Sequence, residues 1–379
     1  MSIRVLHCIH SLSGGGAERQ VQLLAAASHD EGMIPGIFCV NETGGEQLGR
    51  TVRIYKSLKS MKYNLSLFSS IHDVVIDFRP DVVHAWLPAS MTIPAMLVAW
   101  VHRIPSVFSY RNKMFFNRPL TVPEYLCAAG AVSRVVSNNP IGQSNRAYRF
   151  LYRWKQGVEI ANAVHVDAGF RKAITDPTAG STKTILLAGR LTKQKNWQCL
   201  LRALPLIDRQ HSYRVTICGD GEDAGAVRKL IHALNLQDRV TLLGYRRDLY
   251  AIMQGADVLV LPSWYEGMPN VLLEALAVGI PCLVSDIPAH RDLIGDTRCA
   301  VMFDPGAPAE LAARLNGFFA APGSVAGMVR AGWAVADAHS PATMAQQYTR
   351  FYRALLSGTS GHASEIGPAL NRQGSGHTR

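Results

Sequence analysis

The sequence predicts an α/β protein of two doubly wound domains facing a cleft. Three observations carry this. Short apolar runs suited to buried strands alternate with helical patterns, as where "IRVLHCIH" is followed by "ERQVQLLAAAS". Such alternation implies a mostly parallel sheet covered on both faces. The pattern restarts after about residue 166, and the halves echo one another. "RPDVVHAWLPAS" and "GADVLVLPSWYEG" each run from a helix end through Asp and a buried strand to Pro. Finally, 379 residues favour two cores over one. The expected divisions are 1–165 and 166–340, then a last helix at 341–357 and a disordered tail at 358–379. No long linker separates the halves, so the cleft between them is the expected ligand site.

In the first domain, the strand "IRVLHCIH" and helix "ERQVQLLAAAS" lead to the strand "GIFCV". The helix "LFSSIHDVVIDFRP" is closed by Pro80, because proline cannot continue it. "DVVHAW", "SVFSY" and "GAVSRVVSN" are further strands. "WLPASMTIPAMLVAWV" (86–101) is the longest uncharged run. It holds two prolines and falls short of the ~20 residues a spanning helix needs, so a buried helix is expected. In the second domain the strands are "KTILLAGR", "YRVTICGDG", "RVTLLG", "DVLVLPS" and "PCLVSD". Between them stand the helices "NWQCLLRALPLI", "AGAVRKLIHALNL", "DLYAIMQGA" and "NVLLEALAVG". The last helix, "SPATMAQQYTRFYRALLS", opens with Ser340 as cap and Pro341 in first position.

Hydrophobic residues make up 48% of the chain and charged residues 18%, which excludes a disordered protein. Seven cysteines are scattered without a CxxC or Cys/His cluster. Cys8, Cys39, Cys218 and Cys282 fall in strand-like runs, as buried free thiols of a reducing cytosol do. "MSIRVLHCIH" has the layout of a first strand and not of a signal peptide. The formal net charge is +11, with much of the excess in "YRNKMFFNRP" and "NRAYRFLYRWKQ". Nucleic acid, an anionic membrane surface, phosphorylated substrates or a plain solvated face each fit such a balance. Arg111, Arg149 and Arg153, interleaved with Phe115, Phe116 and Trp154, are the candidates for acceptor or membrane contact.

Four segments can carry chemistry. "LLAGRLTKQKN" (186–196) joins a strand to a helix, so Arg190 and Lys195 stand beside a helix N-terminus, where an anion such as a diphosphate is favoured. "ICGDGED" (217–223) makes a second strand-to-helix turn around Gly219. "LGYRRDLY" (243–250) offers the backbone at Tyr245 to a nucleotide base. "WYEGMPNVLLEALAVGIP" (264–281) holds Glu266 and Glu274 eight residues apart in an otherwise apolar stretch. Gly267 lets a ligand approach the backbone, Pro269 suits a helix's first turn, and Asn270 and Val271 offer free N–H groups there. Two carboxylates flanking a phosphate site suit hydroxyls on both sides of a diphosphate, as in a nucleotide sugar. A capping loop with one paired, buried Glu is the alternative.

The pattern E-G-x-P-N-V-x-x-E-A at 266–275 resembles the signature of the family 4 retaining glycosyltransferases. "HSLSGGGAERQ", "GRLTKQKN", "GDGED" and "VEIANAVHVDAGF" are similar to further segments of that family, and the likeness runs from about residue 3 to 357. The resemblance implies a GT-B fold, with acceptor on the N-terminal domain and donor on the C-terminal one, and a last helix that crosses back to the first domain. Carried over by motif, Arg190 and Lys195 hold the diphosphate, Glu266 the donor sugar and Glu274 the ribose. Gly15 and Gly16 approach the diphosphate. Two positions depart from the pattern. The family's strand motif often carries two histidines, whereas here His84 is followed by Trp86, and the usual "NG" is Asn162-Ala163. His84 is therefore either catalytic or a satisfied core histidine.

The expected reaction moves a glycosyl group, with retention, from a nucleoside-diphosphate sugar, UDP-sugar above others, to a saccharide or lipid-linked saccharide in surface-polysaccharide synthesis. Negative charge growing on the leaving phosphate is met by Arg190 and Lys195. No DxD motif stands at a strand end, so neither metal nor cofactor is expected. The expected place is the cytoplasm, with peripheral contact at the inner face of an anionic membrane and no nucleic-acid partner. The rival is a GT-B protein without an acceptor, such as a nucleotide-sugar epimerase.

Overall fold

A computed structural model describes residues 2–13, 15–41, 48, 52–57, 65–86, 91–110, 131–138, 152–174, 182–320 and 325–358. The chain forms two compact units, Met1–Ala163 with His339–Arg379, and Val164–Ala338.

The first unit is built on seven strands: β1 (Ile3–Ser11), β2 (Met33–Asn41), β3 (Arg53–Lys56), β4 (Val82–Trp86), β5 (Ser106–Tyr110), β6 (Arg134–Ser137) and β7 (Val158–Glu159). They lie in the order β3-β2-β1-β4-β5-β6-β7, every pair parallel. Helices α1 (Gly16–Ser28), α2 (Leu65–Phe78) and α3 (Thr92–Val101) connect them. Because both faces must be covered, the strands are apolar throughout: β4 is buried at all five positions. One face packs on α2 and α3 through Ile71, Val75, Phe78, Ala95 and Ala99. The other carries Val21, Leu24 and Ala25 of α1.

The second unit repeats the plan with six parallel strands: β8 (Lys183–Ala188), β9 (Tyr213–Cys218), β10 (Val240–Gly244), β11 (Val258–Leu261), β12 (Cys282–Ser285) and β13 (Val301–Phe303), in the order β10-β9-β8-β11-β12-β13. Its helices are α4 (Trp197–Ala203), α5 (Ala224–Ala233), α6 (Leu249–Gln254), α7 (Asn270–Val278), α8 (Pro288–Ile294), α9 (Pro308–Ala320) and α10 (Val325–Ala338). In each sheet the strand order reverses once, between β1 and β4 and between β8 and β11. Loops diverge at such a point, and ligands of doubly wound sheets bind there, outside the C-terminal strand ends. The α/β architecture expected from the sequence is thus present, with β3, β7 and β13 added as short edge strands that the apolar pattern did not reveal.

The last helix, α11 (Pro341–Leu356), begins with Ser340 accepting from the Thr343 N–H at 3.2 Å and with Pro341 in its first turn. It belongs to the first unit, where Met344, Ala345, Tyr348, Phe351 and Tyr352 join the core beside α1. "WLPASMTIPAMLVAWV" divides between β4 and α3, whose end leaves Trp100 and Val101 exposed. Among the described residues no helix is long and apolar enough to cross a membrane.

A buried ring cluster occupies the middle of the first sheet. His84 lies between two hydroxyls, Nδ1 to Tyr352 and Nε2 to Ser109, both at 2.6 Å. Trp86 stacks on it at 4.6 Å and donates its Nε1–H to His7 Nδ1 at 3.2 Å. The indole that departs from the family motif therefore fills core volume. Burial pushes the His7 imidazole down to about 3, because it penalises the charged form. The unfolded chain, with an ordinary histidine near 6.5, then takes up a proton first as pH falls. His7 stabilises the fold fully above that value, and the contribution is lost progressively from pH ~6.5 down toward 3. Between pH 7 and 5 the loss should be about 2 kcal/mol. Urea unfolding at both values should show it in the wild type and much less in His7→Asn, whose amide oxygen takes the place of Nδ1 and keeps the Trp86 bond. Equal acid sensitivity of the two proteins would contradict this.

Candidate active site

The loops after β8 and β11, adjacent at the reversal, are fastened together by side chains of 194–196. Residues Lys193–Lys195 form one 3-10 turn, and Asn196 takes a left-handed conformation at φ 48° before α4. Asparagine tolerates that region better than most residues. Its buried amide donates to the carbonyls of Pro262 and Pro305, each at 2.9 Å, tying the loops after β11 and β13 to the one after β8. Gln194 donates to the Tyr265 carbonyl, and its own carbonyl accepts from Trp264 N–H, both at 2.9 Å.

This frame brings Lys195 and Glu266 into an ion pair. Lys195 Nζ is 2.6 Å from Glu266 Oε1, which also accepts from Ser263 Oγ at 2.6 Å; Gln194 Nε2 lies 3.5 Å from Oε2. The Glu266 side chain is 8% exposed and that of Lys195 20%. A carboxylate this buried needs such partners. Arg190 is exposed, and no ion pair of its side chain is found among the described residues. Glu274 is buried on α7. Gly267 and Val271 are half-buried around the start of that helix.

Pro269 caps α7, and its carbonyl accepts from the Leu273 N–H at 3.1 Å. One expectation for this segment needs correction. The Asn270 N–H is not free, because it donates to the Met268 carbonyl at 3.0 Å. The tight turn that Pro269 imposes brings that carbonyl within reach.

The turn after β9 packs between the β8 loop and the end of β10. Gly219 N–H donates to the Gly244 carbonyl at 2.7 Å, Gly189 N–H to Cys218 and Leu191 N–H to Asp220, both at 2.9 Å. Gly219 thus has a structural duty whatever it binds. Tyr245 projects into solvent, 65% exposed. Beside it Arg246 grips Asp248 with two bonds of 2.7 and 2.5 Å, which raises the guanidinium and lowers the carboxyl in pKa.

The other candidates lie in the first unit. Gly15 caps α1, and Gly16 opens it. A Cβ on Gly15 would meet the Glu18 carboxylate at 1.9 Å, so that carboxylate already covers the helix entrance. His84 is held at both ring nitrogens and 0% exposed, the surroundings of a satisfied core histidine. Arg153 is exposed beside Trp154, over whose ring Lys155 Nζ sits at 4.3 Å. Arg111 and Arg149 lie outside the described residues.

A model of the glycosyl transferases group 1 family matches residues 174–332, and one of glycosyltransferase family 4 matches residues 14–156. Between them they take in most of the chain. The fold is that of the GT-B glycosyltransferases. An uncharacterized glycosyltransferase of Methanocaldococcus jannaschii is 27% identical over 196 residues, 51% of this chain and 47% of the relative. The UDP-Gal:α-D-GlcNAc-diphosphoundecaprenol α-1,3-galactosyltransferase of Escherichia coli is 38% identical over 112 residues, 28% and 29% of the two chains. The matches thus span less than half of these relatives' length. The crystal structure of Anabaena HepE in complex with UDP and glucose superposes with a TM-score of 0.71 at 20% identity, over 93% of this chain and 100% of that one.

The second unit presents one exposed cation, one lysine and two buried carboxylates on neighbouring loops and the helix that follows. Such a set can hold an anion and orient hydroxyls. Among the described residues no group of three or more His, Cys, Asp or Glu side chains is placed to hold a metal ion. Sequence reasoning missed Gln194, Asn196 and Ser263. Ser263 offered a faint signal, a hydroxyl ending a buried strand three residues before Glu266.

Proposed function

We propose that the chain transfers a glycosyl group, with retention, from a UDP-sugar to a saccharide or lipid-linked saccharide acceptor of surface-polysaccharide assembly. One observation carries this: Lys195 and Glu266, joined at 2.6 Å, stand on adjacent strand ends at the reversal of the second sheet. A cation and an oriented carboxylate meet there, as a sugar diphosphate requires. Arg190 and Lys195 receive the charge that grows on the leaving phosphate. Glu266 accepts hydroxyls of the departing sugar, and Glu274 those of the ribose. Attack occurs on the face that the diphosphate leaves, and the leaving phosphate takes the acceptor's proton. No side-chain base is then needed, which agrees with a buried, doubly bonded His84. The Escherichia coli relative's name states a UDP-galactose donor and a diphosphoundecaprenol acceptor, and HepE was crystallised with UDP and glucose. Both favour this choice of donor and acceptor class.

Calorimetry with UDP-glucose and UDP tests it. Glu266→Gln should weaken UDP-glucose binding about tenfold and leave UDP within twofold, since a hydrogen bond to a charged group is worth roughly 1.5–3 kcal/mol. Glu274→Ala should weaken both ligands alike, because both carry ribose. Equal losses of UDP affinity in the two variants would contradict the separate roles. Release of UDP only when an acceptor is added separates a transferase from an epimerase.

A further inference from the structure

A buried relay runs behind Glu266. Ser263 Oγ donates to Glu266 Oε1 at 2.6 Å, and the Ser263 carbonyl accepts from Ser285 Oγ, also at 2.6 Å. His290, on α8, lies next in line, with Nδ1 2.7 Å from the Ser285 carbonyl and 3.4 Å from its hydroxyl. All three inner residues are 0% exposed. A carbonyl can only accept, so the 2.7 Å contact places the ring proton on Nδ1. Nε2 is then the acceptor nitrogen, and it is buried with no hydrogen-bond partner among the described residues. A buried polar atom without a partner is costly and uncommon. A leucine in this place would avoid that cost and fill similar volume. The ring is nonetheless present, and its one bond leads to the carboxylate.

We propose that His290 is a positioning residue for Glu266, acting from Nδ1 through Ser285 and Ser263 and not from Nε2. Burial lowers the imidazole's pKa, and the Lys195 charge acts the same way against an opposing pull from the Ser285 carbonyl and Glu266. The ring therefore stays neutral and its donor stays fixed. The chain joins β12 and α8 to the tip of β11, so it sets where Ser263 Oγ meets the carboxylate while Lys195 holds the same oxygen from the β8 side. Glu266 is thus located from two directions, and removing one should let it turn.

The test compares His290→Asn, His290→Gln and His290→Leu. The asparagine amide reaches the place of Nδ1, the glutamine amide that of Nε2. One arm needs no ligand: the Glu266 side-chain carboxyl signal in 13C NMR, assigned by its loss in Glu266→Gln. It should move in His290→Leu and His290→Gln and stay in His290→Asn. The second arm rests on the proposed donor and uses UDP-glucose and UDP. Leucine and glutamine should weaken UDP-glucose binding roughly five- to tenfold, as loss of one hydrogen bond does. Asparagine should remain within twofold, and UDP affinity should be equal in all. In a Ser263→Ala background, His290→Leu should add little, because the relay is already cut. An unmoved Glu266 signal in both leucine and glutamine variants, or equal losses with asparagine and glutamine, overturns the proposal. So does UDP affinity that falls in step with UDP-glucose affinity. If leucine does not fold, the asparagine–glutamine contrast decides. A wild type that binds neither UDP-glucose nor UDP sinks the proposed donor, while the carboxyl signal still decides for or against His290.

Discussion

Lys195→Ala should lower turnover by about 100- to 1,000-fold, the loss that follows removal of one preorganised group from a developing oxyanion. It should also destabilise the second unit, because Glu266, 8% exposed, would keep Ser263 and Gln194 as its partners among the described residues. Removing one member of a buried pair costs more than the pair contributes, and about 1–3 kcal/mol is expected here. The two effects separate in a double variant. Lys195→Ala with Glu266→Gln leaves no buried charge, so its thermal midpoint should return toward wild type while turnover stays low. Arg190→Ala supplies the cleaner probe. That side chain is exposed, so stability should stay within ~0.5 kcal/mol while turnover still falls at least tenfold, through loss of a charge-assisted contact. Release of UDP from UDP-sugar in the presence of acceptor measures the rate, and thermal unfolding the stability. Arginine and lysine variants that both turn over like the wild type would place the diphosphate elsewhere.

Both sheets were legible because parallel strands buried on two faces read as unbroken apolar runs. "DVLVLPS" and "DVVHAW" cannot be confused with solvent-facing strands, and they became β11 and β4. The edge strands were not legible. β7 has two residues and β13 three, too short for a period to show. Arg190, Lys195 and Glu266 stood out as candidates since charged residues interrupt strand-to-helix turns, where an anion site is physically reasonable. The ion pair of Lys195 with Glu266 could not be read, because it depends on which strands are neighbours, and β8 and β11 lie some 75 residues apart in the chain. His84 was legible only as a choice between chemistry and core. Its two hydroxyl partners come from Ser109 and from Tyr352 on α11. Nothing local announces a partner 268 residues away. "GDGED" was legible as a strand-to-helix turn, but the packing duty of Gly219 was not, because its partner Gly244 ends another strand.

Gly219→Ala tests that last point and should be the most damaging small change in the second unit. Gly219 has φ +144°, a region that L side chains rarely enter. A Cβ there would lie 1.9 Å from the Gly189 carbonyl oxygen. Neither side can yield easily. The Gly219 N–H is bound to the Gly244 carbonyl, and Gly189 N–H to Cys218, so moving one turn breaks the bonds of the next. Strain of this kind costs about 1–3 kcal/mol from the conformation alone, and a backbone overlap adds to it, so ~3 kcal/mol or more is expected. The loop pushed aside is the one that carries Arg190 and Lys195, so UDP-glucose binding should fall with stability. Gly225, on α5, provides the control. Nothing lies within 4 Å of its Cβ position, and alanine restricts the unfolded chain more than glycine does, so Gly225→Ala should be neutral or slightly stabilising. Thermal unfolding and calorimetry on the two variants decide the matter. A Gly219→Ala protein as stable as Gly225→Ala would mean that the turns after β8 and β9 do not meet as described.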